Sequence, residues 1–99
     1  MTAPRIAPVA EPLTDTRPDT AWRVVVLNDP VNLTGYVVLV FRKVLGMNRE
    51  DAEKHMMEVH RLGRSVVWSG DREPAELHVH ELQSWHLRAI LEKDDDADV

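Results

Sequence analysis

The chain has 99 residues, no cysteine and a formal net charge of −5 at pH 7. This length suits one domain, and without cysteine there is neither a disulfide framework nor a thiolate metal site. The acidic balance argues against nucleic acid as a partner, because phosphate binding requires clustered Lys and Arg. With no apolar segment near the ~20 residues of a membrane-spanning helix and no signal-like N-terminus, we expect a soluble, cytoplasmic protein with no membrane partner.

The two ends of the chain differ in composition from its middle. Residues 1–21 contain four of the six prolines, and proline lacks the N–H that helices and sheets use. We therefore expect a flexible, proline-rich N-terminal tail. Residues 94–99, "DDDADV", carry like charges that repel one another, which is typical of a disordered acidic tail. A single folded domain is predicted for residues 22–93.

The first two predicted elements are a strand and a helix. The segment "WRVVVLND" at 22–29 is rich in β-branched valine and runs into an Asn-Asp-Pro turn signal, which predicts a β-strand. The run at 34–45 is apolar nearly all round and is followed by Gly46, a preferred residue just after a helix. A buried helix is predicted there, although the many valines also suit a strand.

The second predicted helix begins after Asn48, a good N-cap residue, and ends at Gly63. The apolar segment "RSVVWS" at 64–69 predicts the second strand.

A third helix is predicted from Asp71, with Pro74 in its first turn, to about Trp85, and a third strand at 87–93. The order β-α-α-β-α-β predicts an α+β domain with a small three-stranded antiparallel sheet and three helices on one of its faces.

The segment "HMMEVHRLG" at 55–63 joins apolar side chains to histidines. Met56, Val59 and His60 share one face of the predicted helix, since residues three and four apart are neighbours on a helix. Two interpretations are open. The face packs into the core with His60 at its end, or it forms the wall of an apolar slot that also offers a titratable nitrogen.

The loop "LNDPVNLTG" after the first predicted strand contains Asn28, Asp29 and Asn32. A turn alone would explain them, because Asn and Asp side chains bond the local backbone, and Asn32 could cap the following helix. In the predicted topology, however, this loop and the second helix lie beside the same strand. Amide, carboxylate and imidazole groups could then converge at the edge of one apolar slot.

These two segments together resemble the ClpS adaptor family. Its members have a strand that ends in Asn-Asp and a helix with Met-x-x-Val-His followed by x-x-Gly, and "LNDPVN" and "MMEVHRLG" match both. The resemblance covers about residues 22–93, and "NDPVN" is most similar to actinobacterial members. It implies a non-enzymatic adaptor without cofactor or metal. Such an adaptor binds proteins that begin with Leu, Phe, Tyr or Trp and delivers them to a AAA+ unfoldase, ClpC or ClpA, with the ClpP protease.

The resemblance also implies residue roles, carried over position by position. The substrate α-amino group would be bound by Asn28, Asp29 and His60, and the unfoldase would dock at Glu73 and His78. A hydrophobic pocket for the first side chain would involve Asn32, Thr34, Val37, Met56, Val59 and Leu87. No catalytic residue is implied, and the N-terminal tail would be the segment that the unfoldase engages.

Three positions depart from the family pattern. Pro30 replaces a second Asp, which removes one source of negative potential near the amine, and His78 replaces a Lys. Thr34 stands where the family has a Met that narrows the pocket against β-branched side chains. Because threonine is smaller, we expect this chain to tolerate Ile or Val as the first substrate residue.

Other classes of protein fit the sequence less well. The pair "HVH" at 78–80 resembles a metal-binding pair on a strand, but on the predicted helix residues i and i+2 point apart. No nucleophile elbow or glycine-rich phosphate loop is present, so we expect no enzyme. The remaining alternative is a scaffolding or ribosomal-stalk-like α+β domain without an amine pocket. No feature indicates an oligomer, and a monomer is expected.

Overall fold

The computed structural model describes residues 22–94. The predicted tails lie outside the described residues, apart from Asp94. The chain forms six elements in the predicted order β-α-α-β-α-β, which confirms the α+β fold class. They are β1 (Trp22–Leu27), α1 (Thr34–Leu45), α2 (Arg49–Leu62), β2 (Arg64–Gly70), α3 (Arg72–Ser84) and β3 (Arg88–Lys93).

The three strands form an antiparallel sheet in the order β2-β1-β3. The valine-rich β1 is therefore the central strand, paired on both sides. A bulge shifts its register against β2, because Val24 pairs with Trp68 while Val25 pairs with Val66. Gly70, at the end of β2, packs so closely on the Trp68 ring that an added Cβ would lie 2.7 Å from it.

The core lies between the helices and one face of the sheet. Val24 and Val26 of β1 belong to a single buried cluster with Val40 and Phe41 of α1 and Leu82 of α3. Fully burying an apolar side chain of this size contributes about 1.5–3 kcal/mol. The valine-rich run at 34–45 is thus a helix, as predicted, and it buries Val40 and Phe41.

The ends of α2 follow the sequence signals. The Asn48 side chain accepts a hydrogen bond from the backbone N–H of Asp51 at 2.7 Å. Gly63 ends the helix in the left-handed region, with φ of 87°. The start of α1 is different. Its N-cap is Leu33, without a side-chain cap, so the interpretation of Asn32 as the cap is wrong.

The outer face of the sheet is the one that does not pack on the helices. There Val25 is fully buried, although Val66 and Ile90, its neighbours across the strands, are partly exposed. An ion pair between Arg64 of β2 and Glu92 of β3 spans the central strand, with Nη2 and Oε1 2.7 Å apart. None of the helices among residues 22–94 has the length and apolar character needed to cross a membrane.

Candidate functional site

A pocket of about 370 Å³ lies at the end of the central strand, where four elements meet. It is bounded by the end of β1, the β1–α1 loop with the first turn of α1, the C-terminal half of α2 and the start of β3. Its lining residues are Val26, Leu27, Asn28, Asp29, Pro30, Asn32, Leu33, Thr34, Val37, Met56, Val59, His60, Leu87 and Arg88. The volume falls in the range of small-ligand pockets, roughly 300–1,000 Å³.

The pocket has an apolar floor and a polar rim. The most buried lining residues are Val26, Val59 and Leu87, which are 1%, 6% and 5% exposed. Asn28 and His60, in contrast, are exposed at the edge. A ligand that combines an apolar side chain with a polar head group can therefore satisfy both parts at once.

The backbone joins the two segments that carry the polar rim. The N–H of Asn28 donates to the carbonyl oxygen of Gly63 at 3.0 Å, which ties the end of β1 to the end of α2. Asp29 folds the following loop, because its Oδ1 accepts the N–H of Val31 at 2.9 Å. Asn28 and Asp29 are thereby held near the helix end that carries His60.

The opposite wall is braced by side chains that reach across the fold. The Asn32 amide donates to the carbonyl oxygen of His86 at 2.9 Å, and the Tyr36 hydroxyl donates to that of Trp85 at 2.6 Å. His86 has a positive φ of 71°. These bonds fix the β1–α1 loop and α1 to the α3–β3 link, and so position Leu87 in the pocket.

All residues predicted for the amine site and the hydrophobic pocket line this one cavity. The structure brings them together, and their individual roles remain predictions. The sequence analysis did not single out Val26, Leu27, Pro30, Leu33 and Arg88 as lining residues. Arg88 pairs with Leu27 in the β1–β3 ladder, so only the strand register would have revealed it.

The two residues predicted for unfoldase docking lie on α3, outside this pocket. Glu73 is exposed in the first turn. The side chain of His78 is only 23% exposed, and its ring packs on Trp68 with centroids 4.9 Å apart. Its Nδ1 is buried without a hydrogen-bond partner among the described residues. Glu73 is thus available to a partner, whereas His78 faces mainly inward.

Within residues 22–94, no three His, Cys, Asp or Glu side chains are grouped so that they could hold a metal ion. The rim offers hydrogen-bond acceptors on Asn28, Asp29 and His60, above an apolar floor. Fold and pocket together define a small α+β domain with a pocket that combines an apolar floor and a rim of hydrogen-bonding side chains.

Comparison with known proteins identifies the family. The family model described as "ATP-dependent Clp protease adaptor protein ClpS" matches residues 17–89. An adapter protein ClpS from Corynebacterium jeikeium is 43% identical over 95 residues, which cover 94% of each chain. One from Streptomyces coelicolor is 46% identical over 77 residues, 78% of this chain and 80% of the relative. The chain belongs to the ClpS family of ATP-dependent Clp protease adaptor proteins, and the resemblance to actinobacterial members is confirmed.

A solved structure shares the fold. Agrobacterium tumefaciens ClpS2, in a structure "bound to L-phenylalaninamide", superposes with a TM-score of 0.73 at 26% identity. The match covers 76% of this chain and 98% of that one.

Proposed function

We propose that this chain is an adaptor that binds the free, bulky hydrophobic N-terminal residue of a substrate protein and delivers it to a Clp AAA+ unfoldase. This proposal rests on the apolar floor of the pocket and on the hydrogen-bond acceptors at its rim. The ligand of Agrobacterium ClpS2, L-phenylalaninamide, supports it, because that molecule combines a free amine with a large apolar side chain. Leu, Phe, Tyr and Trp are the expected first residues.

The α-ammonium of such a substrate has three N–H donors and needs acceptors at short range. Asn28 supplies its side-chain oxygen, His60 supplies a neutral ring nitrogen, and Asp29 supplies negative potential. Val37, Met56, Val59 and Leu87 surround the first side chain, with Asn32 and Thr34 at the entrance.

Neither part of this site suffices alone. Burial of a large apolar side chain contributes about 1.5–3 kcal/mol, and each hydrogen bond to a charged group about 1.5–3 kcal/mol. Micromolar binding needs about 8 kcal/mol, so both parts are required. A peptide with an acetylated N-terminus, or an internal hydrophobic residue, lacks the ammonium and should therefore bind much more weakly.

The test is fluorescence anisotropy with two labelled peptides that begin with Leu and differ only in N-terminal acetylation. Micromolar or tighter binding of the free-amine peptide, and at least about tenfold weaker binding of the acetylated one, is expected from the loss of one such bond. Equal or absent binding of both peptides would instead favour a scaffolding domain without an amine pocket.

Thr34 should widen the range of accepted first residues. It is exposed at the start of α1 and lines the pocket, and it is shorter than the methionine of the family pattern. We expect peptides that begin with Ile or Val to bind within about tenfold of a Leu peptide, the scale on which a pocket discriminates one methylene. Thr34→Met should weaken Ile and Val peptides and spare Leu. Equal rejection of Ile and Ala peptides by the wild-type protein would contradict this.

Delivery requires a docking surface for the unfoldase, and we place it on α3 at Glu73, with His78 as a weaker contributor. Glu73→Lys should abolish measurable association with an isolated ClpC or ClpA N-terminal domain by calorimetry and leave peptide affinity unchanged. Glu53→Lys, at an exposed position on α2, is the matched control. If Glu73→Lys associates with the unfoldase domain as the wild-type protein does, the docking surface lies elsewhere.

The remaining features of the proposed function follow from the adaptor role. The chain acts as a cytoplasmic monomer, without catalysis or a cofactor of its own, and hands its substrates to the unfoldase that feeds ClpP. Neither nucleic acid nor a membrane is a partner.

A further inference from the structure

Arg88 lies on the rim of the pocket and contacts the residue proposed to hold the amine. It is the first residue of β3, is exposed, and pairs with Leu27 in the sheet. Its Nη1 donates to the backbone carbonyl oxygen of Asn28, at 3.3 Å. The guanidinium is therefore anchored beside the residue proposed to bind the substrate amine.

This guanidinium has no carboxylate partner within the part of the chain that the structure describes. Arg23 and Arg64 pair with Glu92 on the outer face of the sheet, and Arg72 pairs with Glu76 on α3. The Arg88 side chain makes one described hydrogen bond, to the Asn28 carbonyl oxygen. A guanidinium carries five N–H donors in a planar fork that matches a carboxylate, so donors remain for a ligand.

The charged side chains of the rim lie on different elements. Asp29 supplies the negative group on the β1–α1 loop, with one oxygen already bonded to the N–H of Val31. Arg88 supplies the positive group at the start of β3, and His60 on α2 is the other titratable lining residue. An ammonium is attracted toward Asp29, whereas an anionic side chain is attracted toward Arg88.

We propose that Arg88 is a specificity-determining residue that reads the second or third residue of the substrate and favours Asp or Glu there over Lys or Arg. The inference rests on the proposed function, since it assumes that the amine is held at Asn28. An extended chain advances about 3.3–3.6 Å per residue, so the two residues after the first lie within reach of an arginine anchored on Asn28. The preferred ligand is thus a free N-terminus with a hydrophobic first residue followed by an acid.

The experiment compares peptides that begin Leu-Glu, Leu-Gln and Leu-Lys, and a second set with the change at position three, by fluorescence anisotropy. Wild-type protein should prefer Glu over Lys by about two- to fivefold, the range of exposed ion pairs. Arg88→Gln should remove this preference and Arg88→Glu should reverse it. The preference should also shrink in 0.5 M salt, because exposed pairs are screened.

Arg42→Gln is the matched control, because Arg42 is exposed on α1 and lies outside the pocket. This variant should keep the wild-type preference. Acetylated versions of the same peptides separate the two ideas. If free-amine peptides bind but Arg88→Gln keeps the wild-type ranking, the role of Arg88 is overturned and the proposed function stands. If acetylation has no effect, both are overturned.

Discussion

At the residue scale, the chemistry of the site is concentrated in a few side chains on the rim. His60 occupies the last turn of α2 and is exposed beside the apolar floor. A neutral imidazole accepts a hydrogen bond through one ring nitrogen, whereas a protonated one only donates. Protonation of His60 would therefore replace an acceptor with a positive charge that repels the ammonium.

Removal of the imidazole should weaken peptide binding. His60→Ala should bind a free-amine Leu peptide about tenfold or more weakly than the wild-type protein, the loss expected for a hydrogen bond to a charged group. Anisotropy titrations of both proteins provide the measurement.

His80→Ala is the control for this prediction, because His80 is exposed on α3 and does not line the pocket. It should behave like the wild-type protein. Wild-type affinity of His60→Ala would remove His60 from the amine site.

At the element scale, a partly buried polar cluster around Ser65 fastens α2 to β2. The Ser65 hydroxyl, on a residue only 4% exposed, donates to Glu58 Oε1 at 2.6 Å and lies 2.7 Å from His55 Nδ1. Glu58 and His55 belong to the helix that carries Met56, Val59 and His60. The cluster therefore fixes the helix that forms one wall of the pocket.

Ser65→Ala should lower the free energy of unfolding by about 1–3 kcal/mol, because it removes a buried hydroxyl bonded to a charged group. Ser69→Ala on the same strand is the control, since Ser69 is exposed and surface substitutions usually change stability by less than about 0.5 kcal/mol. Urea unfolding of both variants measures the difference. Equal midpoints for the two variants would show that the cluster adds no stability.

At the scale of the whole molecule, an ion-pair network on the outer face of the sheet links all three strands. Glu92 of β3 contacts Arg23 of β1 at 3.0 Å and Arg64 of β2 at 2.7 Å. The hydrogen bond from Arg64 holds the pKa of the Glu92 carboxyl below its ordinary value, while desolvation opposes that shift. The same bond raises the pKa of Arg64.

This shift predicts how stability depends on pH. Because the pKa of Glu92 is lower in the folded state, its contribution is fully present above the ordinary glutamate pKa, about 4.3. The contribution is lost as the pH falls through the lower, folded value. Glu92→Gln should therefore destabilise the protein at pH 7 and approach the stability of the wild type in stronger acid. Urea unfolding from pH 7 to pH 3 measures the difference, and a gap that widens toward acid would contradict the prediction.

Local signals sufficed for most of the fold. The helix α2 begins after Asn48 and ends at Gly63, as predicted, because capping depends on residues a few positions apart. The run at 34–45 is a helix, as predicted, although its many valines also suit a strand. The strand predicted over 22–29 ends at Leu27, since Asn28 and Asp29 turn away into the loop that edges the pocket.

Asn32 shows where local reasoning fails. Its side chain is well suited to cap α1, but its amide bonds the carbonyl oxygen of His86, a residue 54 positions away. A helix cap uses the Asn side-chain oxygen as an acceptor, whereas here the side-chain Nδ2–H donates to a carbonyl oxygen that only the folded chain brings near. This hydrogen bond therefore braces the wall of the pocket and does not cap the start of α1.

The sequence by itself determined the order of the elements, the ends of α2 and, through the paired motifs around Asn28 and His60, the family. Those features depend on periodicity and on short stretches of chain. Only the tertiary structure decided that Arg88 bonds Asn28 across 60 residues and that His78 packs inward on Trp68. The physical reason is that strand register and the packing of α3 on the sheet depend on the whole core, and no local pattern encodes which side chains they bring together.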